Sequence, residues 1–171
     1  MSRIWITADH HFGHANIIRF CDRPFADAAE MDAALIARWN EMVAPEDTVY
    51  HLGDFVYRSG RDAGAYLERL NGKVILVAGN HDTPSARSAF AESHDILNVR
   101  VGGRMLVMCH YAMRVWPGSC RGSLHCYAHS HGKLPAYGRS MDVGVDTNGF
   151  YPYDIDDVAA RLIAVDPRAD G

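Results

Sequence analysis

Five short polar motifs constrain this chain most, because each follows directly on a run of strand-forming residues. In order they are Asp9-x-His11, Gly53-Asp54, Gly79-Asn80-His81-Asp82, His110 and His129-x-His131. Side chains so far apart in sequence can meet only if several strands end side by side. The pattern therefore calls for a sheet with its polar residues gathered at one edge.

The runs between the motifs fill in the rest. Ile4 to Ala8, Thr48 to Leu52 and Lys73 to Ala78 read as strands. Between the first two, Asp27 to Glu30 resembles a capping box, and Met31, Leu35, Trp39 and Met42 recur at helical spacing. Gly64 to Leu70 reads as a short helix closed by Asn71-Gly72, and Thr83-Pro84 as a helix start. Later, Gly102-Gly103 separates two apolar runs, which is a hairpin signal. A long loop holds Tyr111 to Ser123, further strands lead to His129 and cover about Arg139 to Val145, and a last helix starts at Asp154 to Asp157. The first half reads as βαβαβα and the second as mostly hairpins, so we expect two sheets packed face to face with helices outside.

With 171 residues, the chain has room for one domain, expected over 1–165, with a frayed tail over 166–171. No run reaches about 18 apolar residues, and the start has no long apolar stretch of the signal-peptide kind, so the expected location is the cytoplasm. Cys21, Cys109, Cys120 and Cys126 form no CxxC pair and are expected to be reduced packing residues. A net charge of −4, with no basic patch or aromatic platform along the sequence, argues against a general nucleic-acid binder. Two bound divalent ions would nonetheless make one cleft locally positive.

Taken singly, most of the motifs have ordinary readings: a polar strand end, a turn aspartate, a core histidine. Their combination does not. Along an extended segment residues 9 and 11 face one side, so one carboxylate and one imidazole can grip one ion. Asp54 has two oxygens and can bridge two ions. The carbonyl oxygen of Asn80 suits hard cations. His81 then stands beside the ions, placed to protonate a leaving alkoxide, with Asp82 next to it to fix its tautomer. The rings of His129 and His131 can face two different ions. Mixed oxygen and nitrogen donors suit two divalent ions held close together, manganese first, with iron, zinc or nickel as alternatives. That chemistry points to phosphate esters.

In this order the motifs resemble those of the calcineurin-like metallophosphoesterase superfamily. The resemblance runs from Ile4 to about Asp146 and is closest to its small bacterial and phage-type members. The segment from Asp9 to Ile18 and the Asp-Val-Gly-Val-Asp segment from Asp142 to Asp146 carry that closer match. The resemblance implies a four-layer α/β/β/α sandwich of two mixed sheets flanked by helices. It also implies Asp9, His11 and His131 on one metal, Asn80, His110 and His129 on the other, Asp54 bridging, and His81 as general acid at the phosphate. Ala128 departs from the family's usual glycine and raises the question of a φ that alanine disfavours. His10 replaces a small residue and should point away from the metals.

The expected activity is hydrolysis of phosphodiesters or small phosphomonoesters, as phosphodiesterase or phosphatase. His14, Arg19, Arg23, Tyr111, Arg114 and Arg121 should rim the site, and His14, Arg114 and Arg121 are the candidate substrate contacts. His51, His94 and His125 receive no role. A metal-dependent nuclease and a non-catalytic metal-binding interaction module, with Trp116 in its contact surface, are the alternatives.

Overall fold

A computed structural model of the protein describes residues 2–57 and 62–165; the tail expected over 166–171 lies outside them. Among the described residues nine strands and five α-helices follow in order: β1 (Ile4–Thr7), α1 (Ala15–Phe20), α2 (Ala28–Met42), β2 (Thr48–His51), α3 (Ala63–Leu67), β3 (Lys73–Val77), α4 (Pro84–Arg87), β4 (Glu92–His94), β5 (Ile96–Val101), β6 (Arg104–Cys109), β7 (Leu124–Tyr127), β8 (Ser140–Asp142), β9 (Tyr153–Asp154) and α5 (Ile155–Ala164). One sheet has the order β4-β3-β2-β1-β9, and the other β5-β6-β7-β8. β1 to β4 run parallel, and β9 pairs antiparallel with β1.

The parallel strands are apolar on both faces, as a doubly covered sheet requires. Trp5, Val49, Val74 and Leu76 meet Met31, Leu35 and Trp39 of α2, Tyr66 of α3 and Ile17 of α1. Ile6, Leu52 and Val77 instead meet Leu106, Met108, Leu124 and Cys126 of the second sheet, together with Val158, Ala159 and Leu162 of α5. The two sheets thus form a sandwich flanked by helices, as expected. Asp27 caps α2 by accepting from Glu30 N at 2.9 Å, and the Glu30 carboxylate accepts from Ala26 N at 2.6 Å.

The second half departs from the sequence reading. Of its described strands only β5 and β6 form a hairpin, with Gly102 (φ 57°) and Gly103 (φ 76°) both left-handed at its turn. β6, β7 and β8 are parallel, because long crossovers rather than tight turns join them. The strand expected to reach Val145 stops at Asp142, whose Oδ1 accepts from Gly144 N at 2.8 Å and turns the chain into a 3₁₀ turn over Val145–Thr147. The short elements α1, β4 and β9 carry too few residues for a periodic signal.

The segment after β6 folds back over the second sheet and is pinned there. His125 Nδ1 donates to Val107 O at 3.0 Å, which leaves Nε2 to accept from Met113 N at 3.1 Å. Trp116 is 6% exposed and donates to Ser123 O, so it belongs to the interior and not to the contact surface expected of it. Among the described residues no helix is long and apolar enough to cross a membrane.

Candidate metal centre

The five motifs leave the carboxyl ends of β1, β2, β3, β6 and β7 and converge. Two glycines permit the closest approach. A Cβ on Gly53 would stand 2.3 Å from Gly79 N, and one on Gly79 would stand 2.4 Å from Asp54 Oδ1. The turns after β2 and β3 thus pass backbone against backbone, which only glycine allows.

The backbone at the motifs is itself unusual. Asp9 (φ 58°), His11 (φ 51°), Asp54 (φ 54°), His129 (φ 66°) and His131 (φ 49°) all lie in the left-handed region. Each such non-glycine residue costs on the order of 1–3 kcal/mol, and such strain gathers at functional sites. Simple strand alternation therefore does not explain why residues 9 and 11 face one side; paired left-handed turns do. Ala128 is not among the left-handed residues, and its N–H donates to His110 O at 2.9 Å. The φ question it raised is settled: the strain falls on His129 and His131, and alanine is unstrained.

The donor atoms fall into overlapping groups, each with all atoms within 4.8 Å of one another. One holds Asp9, His11 and His131, another Asp54, His110 and His129, and a third His11, Asp54 and His81. Asp54 Oδ2 lies 3.5 Å from His11 Nε2 and 3.5 Å from His110 Nε2, between the first two groups. Asn80 Oδ1 is 3.2 Å and His129 Nδ1 3.3 Å from His110 Nε2.

Those contacts decide what the site can hold. His110 Nδ1 must donate to Leu52 O, at 2.7 Å, so in the neutral ring Nε2 carries a lone pair. That lone pair faces Asn80 Oδ1 and the Asp54 carboxylate, which are acceptors too. Among the described residues, Asp9 Oδ1 and both ring nitrogens of His11 are buried without a hydrogen-bond partner. Buried, unpaired polar atoms such as these are costly, and a cation would take up the acceptors among them. The residues present fit divalent metal ions.

Electrostatics follow the burial. Desolvation pushes the Asp9 carboxyl up to about 7, against the lowering pull of His131 and His110. Burial also pushes the His11 ring down to about 3. At Asp54 burial acts upward, but His110, His11 and the His81 N–H outweigh it and hold the carboxyl well below its usual range. Burial acts to lower the His110 ring, but its hydrogen bond and attraction to Asp54 outweigh it and raise it, so the anionic Asp54 faces a neutral His11 and a His110 that must give up a proton to bind metal.

Around the donors stands a layer that sequence reasoning missed or misplaced. Arg23 is buried; it grips Asp146 with two bonds of 2.8 Å and donates to the carbonyls of Asp9 and His10 at 2.7 and 3.0 Å. It is not a rim residue, because its whole fork is spent on the protein. Asp146 Oδ2 in turn accepts from His131 Nδ1 at 2.7 Å, which leaves a lone pair on the other ring nitrogen of His131. Asp142 Oδ2 accepts from Ser130 Oγ at 2.6 Å and Gly132 N at 2.9 Å, and so shapes the turn carrying both histidines. His10 points into the core, as expected, and meets His51 at 2.9 Å; Gly53 N donates to the far side of His51 at 3.2 Å.

Asp82 is corrected. It does not touch the His81 ring: its Oδ2 accepts from Asp54 N and Gly79 N, both at 2.8 Å, and Oδ1 from Phe55 N at 3.1 Å. Three backbone donors occupy both oxygens, so Asp82 ties the two glycine turns together. The His81 ring lies 3.9 Å from Asp54 Oδ2 and stands edge-on to Tyr57, whose ring also faces His14 at 4.0 Å. His14 reaches the site, 5.4 Å ring to ring from His11. Tyr111 also borders it, 5.0 Å from the His129 ring. Arg114 and Arg121 do not join the cluster; they line a separate cleft.

A two-sheet α/β sandwich with aspartates, histidines and an asparagine gathered at its strand ends is the layout of a metallophosphoesterase. The model of the calcineurin-like phosphoesterase family matches residues 2–157, and the chain belongs to that family. An uncharacterized protein, MJ1445, of Methanocaldococcus jannaschii is 44% identical over 84 residues, 48% of each chain. The gene 66 protein of Mycobacterium phage D29 is 39% identical over 87 residues, 49% of this chain and 42% of that one. The matches thus span about half the length of these curated relatives or less. Among solved structures, the protein of unknown function AQ665 from Aquifex aeolicus superposes with a TM-score of 0.75 at 24% identity, covering 94% of this chain and all of that one. An archaeal phosphodiesterase superposes with a TM-score of 0.52 at 18% identity, covering 83% and 82%. At these identities the likeness is one of fold.

Proposed function

We propose that the protein is a dinuclear-metal phosphoesterase that hydrolyses phosphodiesters or small phosphomonoesters. The observation that carries this reading is the place of Asp54 Oδ2, 3.5 Å from a histidine of each donor group. Asp9, His11 and His131 would hold one ion and Asn80, His110 and His129 the other, with Asp54 placed to serve both. Two bound divalent ions supply Lewis acidity and a water nucleophile ionised near neutral pH. Manganese heads the metals that accept this donor set, followed by iron, zinc and nickel.

The chain's own residues do the rest. Asp146 holds the His131 proton on Nδ1, and Leu52 O does the same for His110, so both rings keep a lone pair for the ion. His81, a third exposed at the mouth of the site, donates a proton to the leaving oxygen, and His14 contacts the phosphoryl oxygens. The alternative of a non-catalytic binding module is less favoured, because such a module has no need of an accessible His81 beside the donors.

The test is hydrolysis of bis-p-nitrophenyl phosphate and p-nitrophenyl phosphate by metal-stripped protein, with Mn, Ni, Zn or Mg restored in turn and Asp54→Ala as control. The expected result is metal-dependent turnover that the control lacks. Binding of two ions without turnover of either ester, or of any natural diester, contradicts the reading.

A further inference from the structure

No run of basic residues occurs in the sequence, yet the fold gathers arginines from three distant segments. Arg104 on β6, Arg114 and Arg121 from the segment after it, and Arg139 just before β8 line one cleft of about 860 Å³. A smaller cleft of about 280 Å³ beside it shares Arg104 and Arg121 and adds Arg100. Among the described residues no carboxylate lines either cleft. Among them, too, none of these arginines forms an ion pair, although acidic residues outnumber basic ones 21 to 17 in the chain. The expectation of no basic patch is corrected: the patch is made by folding and cannot be seen along the sequence.

Two guanidinium groups are brought to one point. A Cβ on Gly122 would stand 2.6 Å from Arg104 Nη1 and 3.0 Å from Arg139 Nη1. Each group is held from behind, Arg104 by Gly122 O and Arg139 by Val165 O, both at 3.2 Å. Arg114 lies 4.2 Å over the Tyr137 ring. Like charges so placed repel unless an anion joins them, and the planar fork of arginine matches phosphate oxygens in pairs.

We propose that this arginine cleft binds the phosphate backbone of a single-stranded oligonucleotide, with a phosphodiester several nucleotides along the same strand at the metal centre. The substrate half of this inference rests on the proposed phosphoesterase reading. Four peptide links join His110 to Arg114, which limits their Cα atoms to roughly 14 Å apart, while Arg104 and Arg139 stand at the amino ends of β6 and β8, roughly 20 Å along β6 from His110. A strand with several phosphates can therefore reach both. The charges lie in a concave notch, which suits a flexible single strand better than a duplex, stiff over about 150 base pairs. Trp116 is buried and the Tyr137 face is taken by Arg114, so neither ring is left as a platform to read bases.

The test measures binding apart from catalysis. Metal-free protein is titrated against a fluorescent single-stranded oligonucleotide by polarisation at several salt concentrations, with wild type beside Arg114→Gln/Arg121→Gln. Both substituted residues are exposed, and thermal melting verifies the fold. The expected result is salt-dependent binding, weakened at least about tenfold in the variant, with a log–log salt slope shallower by roughly 0.7 for each phosphate no longer neutralised. Equal binding by variant and wild type overturns the proposal. Competition by inorganic pyrophosphate at the same concentration of phosphate groups also overturns it, in favour of a small-anion site. Hydrolysis of bis-p-nitrophenyl phosphate by the wild type, measured alongside, decides the phosphoesterase reading separately.

Discussion

Asp82 Oδ2 accepts the backbone N–H of Asp54 at 2.8 Å, so this buried carboxylate holds the residue that faces both donor groups. Its remaining bonds, to Gly79 N and Phe55 N, fix the turns after β3 and β2 at the same time. Asp82→Ala leaves three buried N–H groups unpaired, at about 1–3 kcal/mol each. The variant is expected to bind metal about 10–100-fold more weakly and to melt earlier. Isothermal titration with Mn and a thermal melt test this; unchanged metal affinity would mean that Asp54 is held by other means.

His81 separates from Asp82 in a different experiment. His81→Ala is expected to keep its metal and to lose about 10²–10⁴-fold in kcat on alkyl or sugar leaving groups. With nitrophenolate, which leaves without a proton, the loss should nearly vanish. A uniform loss across leaving groups would assign His81 to binding rather than to proton transfer.

The Arg23–Asp146–His131 chain acts on the histidine from behind. Both partners of the ion pair are buried, with side-chain exposures of 0% and 8%. Arg23→Met strands Asp146, and breaking such a pair costs about 3–5 kcal/mol. Asp146→Asn keeps the shape but weakens the hold on the His131 proton, and is expected to lower metal affinity about 10–100-fold. Chemical denaturation and metal titration of the two variants check the two effects. A stable Arg23→Met with wild-type metal affinity would contradict this account.

Metal-free stability should carry the imprint of Asp9. Its carboxyl is raised from 3.8 to about 7. A group raised in the folded state stabilises fully below its unfolded value and loses that contribution as pH rises through the folded one. The contribution is present in full below about pH 4 and lost as pH rises through about 7. Asp9→Asn should therefore stabilise the metal-free protein at pH 8, much less at pH 4, while abolishing the metal-induced rise in Tm expected of wild type. His51, lowered to about 3, acts in the opposite sense in both proteins and cancels in the comparison. A metal-free Asp9→Asn that melts below wild type at pH 8 would contradict the raised carboxyl.

How much of this was legible in the sequence follows from the range of each interaction. Asp9, Asp54 and Asn80 stand directly after apolar runs, so strand ends and polar motif are read together. The capping of α2 by Asp27 is likewise local. Arg23 and Asp146 meet across 123 residues, and nothing near Arg23 announces its partner; only the Asp142 to Asp146 segment hinted at a role for that end. His51 and His125 look like isolated histidines, because their partners, Gly53 N with His10 and Met113 N with Val107 O, are set by tertiary folding. The parallel pairing of β6 to β8 was missed for a similar reason: short apolar runs and glycines mark turns but do not say which strands they join. The arginine cleft belongs to the same class, being assembled from residues up to 39 positions apart.

The central claim is that two ions share Asp54. Metal-stripped protein loaded with Mn(II) should take up two ions per chain, and its electron paramagnetic resonance spectrum should be that of a spin-coupled pair. Asp54→Asn should lose the coupling even where manganese still binds. A single uncoupled ion at saturation, or a coupled pair that survives Asp54→Asn, would contradict the account.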